Sequence, residues 1–164
     1  MTSDWDWPKD PSSSGHTTRS ELEPAATDRL TAALDGKFVS AGFVRSESSK
    51  WQDDTKLGHL GGSVFANASG AHKGIVALRV FAHGWAERFG GDFTDIPVEG
   101  LGEESWGIWE HLSYGSESVT YQWRRGNLVV EVHIQCIQTE CPSDIRRAVR
   151  SWAIAVDEEA QSSH

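Results

Sequence analysis

The sequence predicts an α+β protein, with an antiparallel sheet of about five to six strands and an N-terminal and a C-terminal helix packed on one face. Two observations predict this fold class. Apolar residues recur at helical spacing near both ends of the chain, and the stretches between them show strand patterns. Short connections join these strands, and such connections fit antiparallel neighbours. A chain of 164 residues can form one domain with a sizeable core.

The N-terminal region divides into a tail and a helix. Residues 1–20 are rich in Ser, Asp, Thr and Pro without hydrophobic periodicity, which predicts a disordered tail or tether and places the single α+β domain at 21–160. The first helix is predicted over 21–35, and Asp35 with Gly36 supplies its stop. Its apolar residues recur at helical spacing: Leu22, Ala26, Leu30, Ala33 and Leu34.

Strand patterns dominate the middle of the chain. One strand is expected to start after Gly42, and further strands are expected over 61–68 and 74–83, the last because it is rich in β-branched residues. Residues 84–104 are too rich in glycine for a regular element beyond a short helical turn. A loop of this length is uncommon unless it binds something or is disordered, so 84–104 is predicted to be functional.

The C-terminal half contains the clearest patterns. A strand over 106–113 precedes a hairpin whose two strands alternate apolar and polar residues around "RRGN", which predicts one core face and one mostly wet face. The last helix follows, with Pro142 at its start. Its apolar stripe comprises Ile145, Val149, Trp152, Ala153 and Val156.

Charge and hydropathy limit the classes of partner. The formal net charge is −9 and the basic residues are scattered, which argues against nucleic acid. No apolar run approaches the roughly 18 residues of a membrane span. No signal-peptide pattern is present, so membrane attachment is expected only through a tether outside this chain.

Cys136 and Cys141 could form a zinc site, a redox pair, a disulfide or two buried thiols. A zinc site would recruit His133, but its odd spacing from Cys136 on a strand places the two on opposite faces. A redox pair is usually C-x-x-C, and the spacing here is longer. We favour a disulfide, because a strand end and a helix start can come within about 7 Å. A disulfide implies an oxidising compartment, whereas reduced cysteines would imply the cytoplasm.

Tryptophans beside the 84–104 loop are the candidate binding residues. Exposed tryptophan next to a mobile loop is typical of sites that stack sugars or apolar ligands. The predicted ligand contacts are Trp85, Arg88, Trp106, Trp109 and His111. His83, His111 and His133 all fall on predicted strands, where they could converge, but no catalytic spacing or metal-binding motif accompanies them. We therefore expect no enzyme activity, no metal and no cofactor.

Three segments carry a family resemblance. They are "DIPVEGLGEESWG", "RRGNLVVEVHIQC" and "CPSDIRRAVRSWAIAVDE". Together they resemble small extracytoplasmic lipoproteins of actinobacteria and the extracellular sensor domains of membrane serine/threonine kinases, over about residues 70–158. The resemblance implies a non-enzymatic ligand-binding or sensing domain on the cell surface, and it transfers no binding residues.

Two functions are consistent with these observations. The first is an extracytoplasmic, sensor-like domain that binds a small molecule, a cell-wall fragment or a protein through the 84–104 loop and the adjacent strands. The alternative is a cytoplasmic interaction protein, such as an immunity or adaptor protein, whose acidic surface meets a basic partner.

Overall fold

The structure, a computed structural model, describes residues 13–19, 28–89, 91–112, 115–137 and 140–162. Its elements, in chain order, are β1 (Ser13–Thr18), α1 (Arg29–Ser40), β2 (Phe43–Gln52), β3 (Lys56–Phe65), α2 (Ala68–Arg88), β4 (Asp92–Ile96), β5 (Glu104–His111), β6 (Glu117–Arg125), β7 (Leu128–Cys136) and α3 (Ile145–Ser162).

The strands form one antiparallel sheet in the order β1-β2-β3-β7-β6-β5-β4. The α+β class and the antiparallel pairing are confirmed, but the sheet has seven strands rather than five to six. Both edge strands come from segments where no strand was predicted. The strand β1 lies inside the stretch 1–20, whose first twelve residues are outside the described ones, and β4 lies inside 84–104.

Helices cover both faces of the sheet, so the prediction of helices on one face is wrong. The side chains of β6 alternate between α3 on one face and α1 with α2 on the other. All but the last two residues of β6 are buried. A strand buried on both sides needs a covering layer on each, which is why α3 packs opposite the other two helices.

The α3 face contains the main apolar core. Trp123, Tyr121 and Val132 are almost fully buried there, against Ile145 and Val149 of α3. The predicted stripe of the last helix is confirmed, since all five of its residues belong to this cluster or pack against it. On the other face a smaller core gathers three phenylalanine rings with centroids 5.2–5.9 Å apart: Phe38, Phe43 and Phe65.

The segment 74–83, predicted to be a strand, belongs to α2. Asn67 caps the start of this helix, and its side chain accepts a hydrogen bond from the Gly70 amide at 2.9 Å. Ala71 and Ile75, four residues apart, are both buried on the side that faces the phenylalanine cluster. Burial at helical spacing outweighs the strand propensity of the β-branched residues.

The first helix is also shifted relative to the predicted 21–35, of which 21–27 lie outside the described residues. The helix α1 starts after Asp28, whose carboxylate accepts hydrogen bonds from the amides of Leu30 and Thr31 at 2.9 and 3.1 Å. It continues through Gly36 and ends before Gly42, whose φ of 81° only glycine adopts readily. The predicted stop was therefore placed one glycine too early.

About half of the predicted long loop 84–104 is regular structure. The helix α2 continues to Arg88, and Asp92–Ile96 form β4, which pairs with β5. The described residues outside regular elements are Phe89 and Gly91, between α2 and β4, and the connection between Ile96 and Glu104. The length argument for a binding loop no longer applies to this segment.

The predicted disulfide is confirmed. Cys136 and Cys141 are bonded, with their Cα atoms 5.4 Å apart, at the end of β7 and just before α3. The prediction that His133 and Cys136 point to opposite faces of their strand is confirmed as well. Cys136 lies on the α3 face of β7, whereas His133 faces the opposite side.

Candidate functional site

A cavity of about 440 Å³ lies between the sheet and the two helices α1 and α2. Its roof is apolar and comprises Leu34, Leu78, Phe81, Ala82, Trp85 and Leu112. Its floor is polar and comprises Glu110, Ser118, Thr120, Gln122, Glu131, His133 and Gln135. A volume of this size falls in the range of small-molecule sites, roughly 300–1,000 Å³.

The polar floor follows from strand alternation. On β6, Val119, Tyr121 and Trp123 point to α3, so Ser118, Thr120 and Gln122 between them point to the cavity. The register carries this pattern across the sheet, because residues paired between neighbouring strands share a face. Three adjacent strands therefore present their polar residues at one place.

Hydrogen bonds between neighbouring strands order this floor. The Ser118 hydroxyl donates to Glu110 Oε2 at 2.5 Å, from β6 to β5. The Thr120 hydroxyl lies 2.8 Å from His133 Nδ1, between β6 and β7. Both contacts give buried polar groups a partner, as a protein interior requires.

Gln122 leaves one acceptor without a partner. Its amide nitrogen donates to Glu131, which also receives a hydrogen bond from His59 Nδ1 at 3.1 Å. Because an ionised carboxylate only accepts, this contact fixes which way the Gln122 amide points. Gln122 is 2% exposed, and its carbonyl oxygen Oε1 is buried without a hydrogen-bond partner.

Burial and neighbouring groups set the charges in the cavity. Burial raises the pKa of Glu110, and the negative charge of Glu131 adds to that rise. Burial would also raise the pKa of Glu131, but hydrogen bonds from His59 and Gln122 outweigh it, and the pKa is lowered. Burial lowers the pKa of His133 to about 4, so this histidine is neutral at pH 7.

Of the five predicted ligand contacts, Trp85 lines the cavity. It lies in the roof, on α2, where its ring packs between Phe81 and Phe89 with centroids 5.8 and 4.6 Å away. Arg88 is three residues further along the same helix and points elsewhere. Its guanidinium binds the Asp28 carboxylate at 3.2 Å, which ties the end of α2 to the start of α1.

Trp106 belongs to a separate cluster that attaches α2 to the edge of the sheet. Asp95 of β4 accepts hydrogen bonds from Trp106 at 3.2 Å, from His83 at 2.8 Å and from Arg79. Burial alone would raise the pKa of Asp95. The hydrogen bonds from these three donors outweigh that effect, so the pKa of Asp95 is lowered. The ring of His83 also stacks on Phe93, with centroids 4.5 Å apart.

Trp109 and His111 lie on the opposite face of the sheet. The Arg146 guanidinium of α3 sits 4.7 Å from the ring centroid of Trp109, which is a cation–π contact. His111 packs on Trp109 and lies 2.7 Å from Glu117, whose carboxylate also accepts from the amide of Cys141. These two predicted contacts support the packing of α3.

The three histidines that were predicted on strands do not converge. His83 is on α2, His111 faces α3, and His133 faces the cavity. Among the residues that the structure describes, no group of three or more His, Cys, Asp or Glu side chains could hold a metal ion. None of the helices in the described part of the chain is long and apolar enough to cross a membrane.

The structure is thus an α+β domain with a cavity of small-molecule size between a sheet and two helices. No protein-family model and no curated protein matches the sequence. Among solved structures, the chain is similar to the extracellular domain of PknH from Mycobacterium tuberculosis. The sequences are 12% identical, the TM-score is 0.48, and the match covers 92% of this chain and 80% of that one. The resemblance to actinobacterial lipoproteins stays a prediction.

Proposed function

We propose that this chain is a non-enzymatic, extracytoplasmic, sensor-like domain that binds a small molecule in the cavity between α1, α2 and the sheet. In this proposal the cavity takes the place of the 84–104 loop as the binding site, because α2 and β4 occupy about half of that segment. Trp85, at the end of α2, belongs to both the original prediction and the cavity.

The unpaired carbonyl oxygen of Gln122 is the observation that carries this proposal. A buried acceptor without a partner costs roughly 1–3 kcal/mol, and proteins rarely retain such groups without a reason. The contact with Glu131 assigns the Gln122 nitrogen as the donor to that carboxylate, so Oε1 is the end of the amide without a partner. A ligand that donates a hydrogen bond to Oε1 would supply the missing partner.

The composition of the cavity supports a small ligand. Binding sites for small molecules are usually apolar clefts with a few convergent polar groups, and this cavity combines an aromatic and aliphatic roof with a hydrogen-bonded floor. The sequence contains no GxSxG, HExxH or phosphate-loop motif, which favours binding without turnover.

The disulfide supports the extracytoplasmic location. Disulfides persist in oxidising compartments and are rare in the cytosol, where thiols are kept reduced. The bond between Cys136 and Cys141 therefore favours this function over the cytoplasmic interaction protein.

A dye titration tests whether the cavity binds small molecules. N-phenyl-1-naphthylamine is a neutral aromatic dye with one N–H donor, and its fluorescence rises in apolar surroundings. Ala82 lines the cavity, so Ala82→Phe should fill it from the roof. We expect saturable binding to the wild-type protein and a loss of about tenfold or more in affinity for Ala82→Phe.

Glu87→Phe is the matched control, because Glu87 lies exposed on the same helix and is not among the residues that line the cavity. This variant should keep the wild-type affinity within about twofold. Thermal unfolding of all three proteins verifies that the variants fold. The proposal is wrong if the wild-type protein gives no saturable signal, or if a folded Ala82→Phe binds the dye as well as the wild type does.

A further inference from the structure

The charge of the cavity limits the class of ligand that the proposed function allows. Two carboxylates line it, Glu110 and Glu131, and no lysine or arginine is among its lining residues in the described part of the chain. The only histidine in the lining, His133, is neutral at pH 7. Glu131 already has His59 within 3.1 Å, whereas no lysine or arginine of the described lining faces Glu110. An anionic ligand beside Glu110 would therefore meet a carboxylate, and its desolvation would be uncompensated.

The hydrogen-bonding groups of the floor also favour a donor. Gln122 Oε1 is an acceptor whose orientation is fixed and whose partner is missing. Glu110 is 7% exposed, and the one hydrogen bond found for its carboxylate comes from Ser118. A carboxylate offers about four acceptor positions, so Glu110 can accept further hydrogen bonds from a ligand.

The roof suits an apolar body and tolerates a cation. Phe81 and Trp85 present aromatic rings, and Leu34 and Leu78 extend the apolar surface. Aromatic faces attract cations as well as apolar groups, and this attraction is stronger where water is excluded. The roof therefore adds no barrier against positive charge.

We propose that the cavity takes an amphipathic organic cation, with an ammonium group held by Glu110, a second donor on Gln122 Oε1 and an apolar body under Phe81 and Trp85. This assignment rests on the proposed function, since it names the class of ligand for the same cavity. The positive charge of the ligand favours the ionised carboxylate of Glu110 against the burial of that group, so Glu110 discriminates by charge. Gln122 accepts a second hydrogen bond from the ligand, and the roof contributes apolar contact area.

Displacement of the bound dye by three matched probes tests this assignment. The probes are 4-phenylbutylamine, 4-phenylbutan-1-ol and 4-phenylbutyrate, which share a body and differ in the charge of the head group. At pH 7 we expect the amine to displace the dye at a concentration about tenfold lower than the alcohol, because hydrogen bonds to charged partners are stronger. The carboxylate should be the weakest of the three.

Glu110→Gln isolates the role of the carboxylate, because glutamine keeps the size of the side chain and an acceptor for Ser118. In this variant the advantage of the amine over the alcohol should fall to about twofold or less. Glu47→Gln, at an exposed position on β2, is the control and should leave the advantage unchanged.

The outcomes separate this inference from the function on which it rests. If the dye binds but the alcohol or the carboxylate displaces it as well as the amine does, the cation assignment is wrong and the binding function stands. An advantage of the amine that persists in folded Glu110→Gln also overturns the assignment. The comparison of probes on the wild-type protein needs no variant, so it decides the matter even if Glu110→Gln does not fold. Failure of the dye itself contradicts both proposals.

Discussion

Glu110 and His133 line the floor of the cavity, where desolvation favours the neutral form of each. Burial raises the pKa of Glu110 and lowers that of His133. The two shifts change the pH dependence of stability in opposite directions. A raised carboxyl pKa adds stability at low pH, which is lost as pH rises, whereas a lowered histidine pKa adds stability at neutral pH, which is lost as pH falls.

We expect His133 to make the protein sensitive to mild acid. Between about pH 6.5 and pH 4 the unfolded chain protonates this histidine and the folded chain does not. Relative to His133→Asn, the wild-type protein should therefore lose about 1–3 kcal/mol of unfolding free energy between pH 7 and pH 4. Urea titrations across this range, followed by tryptophan fluorescence, measure the difference.

His16→Asn is the control, at an exposed histidine of β1. It should change the pH dependence by less than about 0.5 kcal/mol. Parallel pH profiles for the wild type and His133→Asn would contradict the prediction.

The sequence predicted few of the residues that line the cavity, for a physical reason. Alternation on β6 and β7 shows that Ser118, Gln122 and His133 face away from the core of α3, and it predicts a wet face. Alternation does not show whether another element covers that face. Trp85 was predicted as a tryptophan beside the 84–104 loop, and it also lines the cavity, whereas Glu110 becomes a candidate only once α2 lies over it.

The helix α2 is the element that sequence patterns described least well. Its β-branched residues favour a strand, and Gly70 and Gly74 weaken the helical pattern. Both glycines are required by packing. A Cβ on Gly70 would approach the Ala41 carbonyl oxygen, and one on Gly74 would lie 2.3 Å from a ring carbon of Phe65. The helix sits so close to the sheet that packing, rather than propensity, selects these residues.

Two glycine substitutions should have opposite effects on stability. Gly74→Ala forces a methyl group into the Phe65 ring and should lower the unfolding free energy by about 1–3 kcal/mol. Gly36→Ala, inside α1 with no atom within 4 Å of the added methyl, should raise it by about 0.5–1 kcal/mol. Chemical denaturation of both variants measures the two changes. Equal effects would show that helix propensity, rather than contact with Phe65, governs both sites.

Removal of the disulfide should loosen the start of α3. The chain-entropy estimate for a loop of this length is about 2 kcal/mol, so Cys136→Ser with Cys141→Ser should lose about that much unfolding free energy. Denaturation with and without reducing agent measures it. The reducing agent should destabilise the wild type by a similar amount and leave the double variant unchanged. A double variant as stable as the oxidised wild type would show that the bond does not stabilise α3.

At the scale of the whole molecule, the two faces of the sheet are unlike. The α3 face is an apolar core. The disulfide attaches the start of α3 to the sheet, and Arg125 binds Asp157 of α3 through two contacts of 2.6 Å. The other face combines the phenylalanine cluster with the polar cavity.

Antiparallel strands and the β6–β7 hairpin were predictable because they depend on local turns. The packing of helices on both faces of the sheet was not predictable, since it depends on contacts between residues distant in sequence.

This asymmetry predicts an order of local stability. Amides of β6, β7 and α3 should exchange with solvent at or near the rate of global unfolding, whereas amides of α1 and α2 should exchange faster through local opening over the cavity. Hydrogen exchange followed by mass spectrometry or NMR measures both. Addition of N-phenyl-1-naphthylamine should slow exchange in α1 and α2 and leave α3 unchanged. Protection in α2 equal to that in β6 without the dye would contradict this order.

The alternation of β6 also bears on how the domain could change over evolution. Its odd-numbered residues, such as Tyr121 and Trp123, hold the core, and its even-numbered residues, such as Thr120 and Gln122, line the cavity. Under the proposed function, ligand preference and folding therefore depend on different residues of one strand. Descendants of this chain can acquire new ligands by substitution at alternate positions while the core stays unchanged, so relatives of this fold are expected to diverge first on the cavity side of the sheet.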